Sequence, residues 1–87
     1  MISEGCIVNG TVTNSILSGG VVIEDGAEVK DSVIMDDVVI KRGAKVYTSI
    51  VDSDTVIYEN AVVGVENAAK SEITVIAKGS EIKPENK

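Results

Sequence analysis

Hydrophobic and polar residues alternate in a short phrase that this chain repeats four times: VIEDGA at 22–27, VIKRGA at 39–44, VIYENA at 56–61 and VIAKGS at 75–80. The first three copies follow one another at a constant spacing, and the fourth starts slightly later than that spacing predicts. A fixed short period is typical of a solenoid, in which each repeat packs only on its neighbours. The pattern therefore predicts a stack of similar coils.

Alignment of the copies places small or aliphatic residues in four inward columns: Ile23, Ile40, Ile57 and Ile76; Ala27, Ala44, Ala61 and Ser80; Val29, Val46, Val63 and Ile82; and Val33 with Ile50. Aliphatic anchors at 23, 29, 35 and 40 are separated by six, six and five residues. An aliphatic residue followed four positions later by a small one, about every six residues, is the hexapeptide pattern of a parallel β-helix. We expect an all-β domain over residues 1–83, with about four to five coils of three strands each, and a polar tail at 84–87.

Turn residues divide each coil at three corners. The first corner is predicted at Gly26, Gly43, Asn60 and Gly79, because glycine and asparagine most readily take a positive φ. The second is marked by Asp31-Ser32 and Thr48-Ser49, and the third by Asp36-Asp37 and Ser53-Asp54. In the first coil, Val12 aligns with Val29, whereas Cys6 and Val8 suggest a different register, and the sequence leaves both open. Residues 64–74 are longer than their counterparts and predict an outward loop.

The outward columns carry the functional signal. One is mostly charged (Glu28, Lys45, Val62 and Glu81), whereas the other two are apolar. A continuous apolar ridge on a surface is typical of an interaction site. The predicted interface consists of Leu17, Val22, Ile34, Val39, Val51, Val56 and Val75. The alternative is a register displaced by one residue, which would place these side chains in the core.

Composition narrows the class of protein. The 87 residues are 44% apolar but include no Phe, no Trp and only two Tyr, which predicts a narrow aliphatic interior. The net charge of −6 argues against a nucleic-acid partner. A single cysteine excludes an internal disulfide and fits a reducing compartment. Without an apolar run long enough to span a membrane, or a basic and apolar leader at the start, we expect a cytoplasmic protein.

Candidate chemistry is sparse. The chain has no histidine, whereas acyltransferases on this fold need a histidine base and zinc enzymes need histidine ligands. Cys6 lacks a partner base and is expected to fill a small inward site. The aspartates match no calcium loop and fall at corners; Asp52 alone falls in an inward column, where Ser53 or Thr55 would have to donate to it. We therefore predict no catalytic, cofactor-binding or metal-binding residues in this chain.

Two segments carry a family resemblance. They are Glu4-Gly5-Cys6-Ile7-Val8-Asn9-Gly10-Thr11-Val12-Thr13-Asn14-Ser15-Ile16-Leu17, and Val29-Lys30-Asp31-Ser32-Val33-Ile34-Met35 followed by the coil through Val51-Asp52. Their order resembles the C-terminal left-handed parallel β-helix domain of bacterial glucose-1-phosphate adenylyltransferase (ADP-glucose pyrophosphorylase). The resemblance covers nearly the whole chain, and left-handedness is implied by it alone.

The resemblance implies a role in glycogen biosynthesis. The enzyme converts ATP and glucose 1-phosphate to ADP-glucose and pyrophosphate, with Mg²⁺ and ATP bound in an N-terminal catalytic domain that we expect to be missing here. The β-helix would then serve homo- or hetero-oligomerisation, contact with that domain and allosteric regulation. Some activated members carry an effector-site arginine where this chain has Ser18, Gly19 and Gly20, so this chain is expected to be a differently regulated or non-catalytic form. The alternatives are the β-helix of another sugar-phosphate nucleotidyltransferase and a free-standing scaffold.

Overall fold

The computed structural model describes residues 5–64 and 73–84, which form thirteen short β-strands and no helix. Sheet 1 contains β1 (Ile7–Val8), β4 (Val22–Ile23), β7 (Val39–Ile40), β10 (Val56–Ile57) and β13 (Glu81–Ile82). Sheet 2 contains β2 (Thr11–Thr13), β5 (Glu28–Lys30), β8 (Lys45–Tyr47) and β11 (Val62–Val63). Sheet 3 contains β3 (Ile16–Leu17), β6 (Val33–Ile34), β9 (Ser49–Val51) and β12 (Thr74–Ile76).

Consecutive strands visit the three sheets in turn, so that each coil contributes one strand to each sheet. Every pairing among these strands is parallel and joins one coil to the next. The strands make four coils and the first strand of a fifth. This architecture agrees with the predicted fold class, an all-β left-handed parallel β-helix of hexapeptide repeats.

The interior is a narrow aliphatic column, as the composition predicts. The three predicted columns that begin at Ile23, Ala27 and Val29 are confirmed in the first three copies of the phrase. A fourth inward column lies at the corner between sheets 3 and 1. It consists of Val21, Val38 and Thr55 in successive coils. The fully buried aliphatic and small side chains are Leu17, Val21, Ile23, Ala27, Val29, Ile34, Val38, Ile40, Ala44, Val46, Val51, Ile57 and Ala61.

The predicted place of the fourth copy of the phrase, in sheet 1, is wrong. Val56 and Ile57 pair with Glu81 and Ile82, whereas Val75 and Ile76 pair with Ile50 and Val51 in sheet 3. Gly79 and Ser80 accordingly lie at the third corner instead of the first. All three corners use a residue in the left-handed region, so the same phrase can precede any of them. The predicted loop at 64–74 and the predicted tail at 84–87 lie mostly outside the described residues.

The predicted inward and outward phase of sheet 3 is also wrong. Leu17, Ile34 and Val51 are completely buried, and their neighbours Val33 and Ile50 face outward. The reason is the second corner, where one left-handed residue (Asn14, Asp31 or Thr48) is followed by an inward serine. Because of this corner, Ile34 is the fifth residue after Val29. The successive inward residues of a coil are therefore six, five and six positions apart. Met35, which a step of six would bury, is 37% exposed.

The serines of the second corner form a buried hydrogen-bond ladder. The Ser32 hydroxyl donates to the Lys30 carbonyl at 2.9 Å and accepts the Ser49 amide at 3.2 Å. One coil earlier, the Ser15 hydroxyl donates to the Thr13 carbonyl at 2.8 Å and accepts the Ser32 amide at 3.0 Å. Each of these hydroxyl groups is therefore hydrogen-bonded both to its own corner and to the next coil. Among the described residues, no buried side-chain polar atom lacks a partner.

Gly10 explains why both registers that the sequence suggested for the first coil are present in the structure. Val8 pairs with Ile23 and Val12 with Val29, so the first corner of this coil is two residues shorter than in the next. A Cβ on Gly10 would overlap the Ala27 carbonyl oxygen and lie 2.8 Å from the Glu24 carbonyl oxygen. Only glycine fits, because both neighbours are backbone atoms that a side chain cannot displace cheaply.

The phase of sheet 3 gives a direct prediction. Ile34→Ala should lower the free energy of unfolding by about 2–5 kcal/mol, because it opens a cavity in the core. Val33→Ala, one residue earlier and facing outward, should cost no more than about 1 kcal/mol, the span of strand propensities. Urea unfolding followed by circular dichroism measures both. Equal losses, or a larger loss for Val33→Ala, would contradict the assigned phase.

The serine ladder gives a second prediction. Ser32→Ala should lower the free energy of unfolding by about 1–3 kcal/mol, because the buried Ser49 amide loses its acceptor. Ser53→Ala is the matched control, since among the described residues Ser53 takes part in hydrogen bonds through its backbone, and its loss should stay within about 0.5 kcal/mol. Indistinguishable urea midpoints for the two variants would show that the ladder contributes nothing.

Candidate interaction surfaces

The outer surface of sheet 1 is an apolar strip, called here the valine face. It consists of Ile7, Val22, Val39 and Val56, which occupy equivalent positions in four successive coils. Ile7 is 55% exposed and the three valines are half-buried against their neighbours in the stack. Glu81 takes the equivalent position in the next strand and ends the strip.

The outer surface of sheet 3 is a second apolar strip, called here the isoleucine face. It consists of Ile16, Val33, Ile50 and Val75, again in register from coil to coil. Ile16 is 46% exposed and Val75 69% exposed. A shallow groove of about 550 Å³ includes part of this strip and the second corner beside it, and it is lined by Asn14, Ile16, Asp31, Ser32, Val33, Thr48, Ser49, Ile50 and Ile73.

The structure divides the predicted interface residues into three groups. Val22, Val39 and Val56 face outward as predicted, and Val75 faces outward on sheet 3 instead of sheet 1. The prediction is wrong for the remaining three, because side chains with no exposed surface cannot contact a partner: Leu17, Ile34 and Val51. The outer faces of sheets 1 and 3 are both apolar. On sheet 3, the outward residues are the strand neighbours of Leu17, Ile34 and Val51. That either face is an interface stays a prediction.

Charged side chains border the valine face on both sides, and the two borders are called here the basic edge and the acidic edge. The basic edge, at the end of each sheet 1 strand, holds Glu24, Lys41, Tyr58 and Lys83. The ammonium groups of Lys41 and Lys83 lie 5.2 Å and 5.5 Å from the centre of the Tyr58 ring, within range of a cation–π attraction. The repeat pattern does not reveal this stack, because Lys83 follows Tyr58 at a spacing longer than the repeat period of the earlier coils.

The opposite border, the acidic edge, lies at the third corner. It holds Gly20, Asp37, Asp54 and Gly79, all in the left-handed region. Both aspartates are exposed, and the Asp37 carboxylate reaches over Gly20. The valine face is therefore flanked by two lysines and one glutamate on one side and by two aspartates on the other.

Sheet 2 presents a polar outer surface. Glu28 and Lys45 occupy equivalent outward positions, followed by Val62, which is 61% exposed. The Tyr47 hydroxyl donates to the Glu28 carboxylate at 3.2 Å. The predicted charged column is confirmed for these coils, whereas Glu81 belongs to sheet 1.

Side chains that could take part in chemistry have structural partners instead. The Cys6 thiol packs against the core, as predicted, and donates to the Ser18 carbonyl at 3.0 Å. Asp52 is half-buried and accepts the backbone amide of Ser53 at 2.7 Å, so the donor is this amide and not the expected hydroxyl. Within residues 5–64 and 73–84, no group of three or more His, Cys, Asp or Glu side chains is placed to hold a metal ion.

The described part of the chain contains no helix that is long and apolar enough to span a bilayer. Comparison with protein families matches residues 1–83 to the family described as GlmU-like, C-terminal hexapeptide. Comparisons with curated proteins and with solved structures gave no match. The match supports a β-helix domain associated with nucleotidyltransferases, and it covers nearly all of the chain. This chain belongs to the GlmU-like C-terminal hexapeptide family.

Proposed function

We propose that this chain is the C-terminal oligomerisation and regulatory β-helix of a glucose-1-phosphate adenylyltransferase, and that it is non-catalytic by itself. The observation that carries the proposal is the order of two segments, from Glu4 to Leu17 and from Val29 to Met35, in a hexapeptide β-helix of the nucleotidyltransferase-associated type. A histidine-free sequence favours a non-catalytic role, since acyl transfer on this fold depends on a histidine base.

In this proposal, catalysis takes place in an N-terminal domain that binds ATP, Mg²⁺ and glucose 1-phosphate. The two apolar faces of the β-helix suit two kinds of contact, one with that domain and one with further subunits. Homo- or hetero-oligomerisation would bring several catalytic domains into one cytoplasmic particle. Regulation would act by changing how these domains pack on the rod.

The segment after β3 supports a departure from the activated members of that family. Gly20 has a φ of +75°, and a side chain there would meet the Asp37 carboxylate. The neighbouring Gly19 amide donates to Asp36 at 3.1 Å. Activated members carry a long cationic side chain in this segment, whereas this chain has a tight turn with a backbone amide that donates to Asp36. We therefore assign no effector-site residues here.

A second candidate is the β-helix of another sugar-phosphate nucleotidyltransferase. The observation that favours it is the family match, whose description does not specify adenylyl transfer or glucose. The two candidates share the fold and the non-catalytic role and differ only in the substrates of the catalytic domain.

The full product of the gene tests this proposal. With Mg²⁺, ATP and glucose 1-phosphate it should form ADP-glucose and release pyrophosphate, measured by anion-exchange chromatography and a coupled pyrophosphate assay. The 87-residue chain, as the control, should give no turnover. A preference for another nucleotide or sugar phosphate would favour the second candidate. A gene product without any nucleotidyltransferase activity would favour a free-standing scaffold, and turnover by the 87-residue chain would overturn the non-catalytic role.

A further inference from the structure

We propose that the Asn9–Gly10 step is a site of spontaneous deamidation, in which Asn9 becomes aspartate or isoaspartate without an enzyme, and that the isoaspartyl product loosens the first coil. The inference goes beyond the function proposed above and does not rest on it. It is carried by the shape of the first corner of the first coil, between β1 and β2.

Deamidation is an attack by the backbone on a neighbouring side chain. Hydroxide removes the proton of the Gly10 amide, whose nitrogen then forms a bond to the carboxamide carbon of Asn9. The bond from that carbon to the side-chain nitrogen breaks, ammonia leaves, and a succinimide ring remains. Water opens the ring at either carbonyl and gives aspartate or isoaspartate. The reaction is favoured by a small following residue, a backbone amide outside any hydrogen bond and an accessible side chain.

The Gly10 amide is available because this corner is two residues shorter than in the later coils. In those coils the equivalent amide donates to the carbonyl three residues before it, at 3.1 Å; it belongs to Ala27, Ala44 and Ala61. Gly10 directly follows Asn9, the counterpart of Glu24, so this turn bond cannot form. None of the described residues accepts a hydrogen bond from the Gly10 amide.

The Asn9 side chain is accessible. It is exposed, while the backbone amide of the same residue donates to the Ile23 carbonyl at 2.8 Å. Gly10 has no side chain to obstruct the attack, and a Cβ there would overlap the Ala27 carbonyl oxygen. Packing therefore requires a glycine after Asn9, and the same glycine makes this asparagine reactive.

The other asparagines in the described ranges are held more firmly. The Asn14 side-chain amide donates to the Asp31 carboxylate at 2.8 Å, and a serine follows it. Asn60 is followed by Ala61, whose amide donates to the Tyr58 carbonyl at 3.1 Å. Although asparagine is thermolabile in general, we expect Asn9 to react first.

The isoaspartyl product does not fit this corner. Its main chain runs through the side-chain methylene, so the backbone gains one atom between the coil-to-coil bonds that the amides of Asn9 and Thr11 donate, at 2.8 Å and 2.9 Å. A single carbon added on Gly10 would already overlap a carbonyl oxygen. Aspartate adds only a charge, next to Glu24 of the following coil, where like charges on paired strands disfavour pairing.

Incubation of the folded chain in mildly alkaline buffer at physiological temperature tests the reaction. Peptide mapping by mass spectrometry should show conversion of Asn9 before Asn14 or Asn60, with isoaspartate detected by a protein isoaspartyl methyltransferase. The rate should rise about tenfold per pH unit, because hydroxide removes the amide proton. It should stay within about tenfold of the rate in urea, because no hydrogen bond of the Gly10 amide has to open first. Asn9→Gln, whose longer side chain would have to close a larger ring, is the matched variant and should remain unmodified.

Hydrogen exchange on the isoaspartyl form, isolated by chromatography, tests the structural effect. The amides of Asn9 and Thr11 should lose protection by at least about tenfold, whereas Lys45, equivalent to Thr11 two coils later, should be unchanged. Asn9→Asp is the control, since it adds the charge without the extra backbone atom and should lose less protection.

Four results would overturn the inference. The first two are equal rates at all three asparagines, and an Asn9 that reacts in urea but not in the folded chain. The others are unchanged protection in the isoaspartyl form, and an equal loss of protection in Asn9→Asp.

Discussion

The corner between sheets 2 and 3 is the constraint on which the rest of this β-helix depends. Equivalent side chains of successive coils must fall in the same column. Across this corner the inward residues of one coil are five positions apart, whereas across each of the other two corners they are six positions apart. One residue in the left-handed region turns the chain from sheet 2 into sheet 3, and the serine that follows faces inward. The serine hydroxyl then donates to a carbonyl of its own coil and accepts an amide of the next coil, so the short corner repeats in register. The inward phase of β3, β6 and β9 follows from it.

The fold could be predicted because the columns of sheets 1 and 2 alternate clearly between aliphatic and charged residues. Glu28, Val29 and Lys30 leave only one orientation for their strand. Sheet 3 gives no such signal, since both Val33 and Ile34 are aliphatic and either could face the core. Its phase depends on whether the preceding corner takes five or six residues. Sequence spacing alone could not decide this, because the deciding interaction is a hydrogen bond between serines of different coils.

The misassigned fourth copy has a related physical origin. A phrase such as VIAKGS describes a strand followed by a left-handed turn, and all three corners of this triangle need such a turn. Local chemistry therefore identifies a corner without saying which one it is. The first coil shows the converse case, since Gly10 lets the chain reach the same two columns with a shorter corner. Register here is fixed by pairing between coils, which a sequence reveals only where the period is unbroken.

The same period that builds the core also sets the chemistry of the outer faces. A residue type that recurs in every coil gives a face of uniform chemistry, whereas a position that varies from coil to coil gives a mixed border. The valine face shows both, since its apolar residues recur in four coils, while one border holds a glutamate, two lysines and a tyrosine and the other holds two aspartates and two glycines. The isoleucine face differs from it, because its borders carry mostly neutral residues, with Asp31 on one side and Asp52 on the other. One repeat can therefore give a rod two apolar faces that differ in the charges beside them.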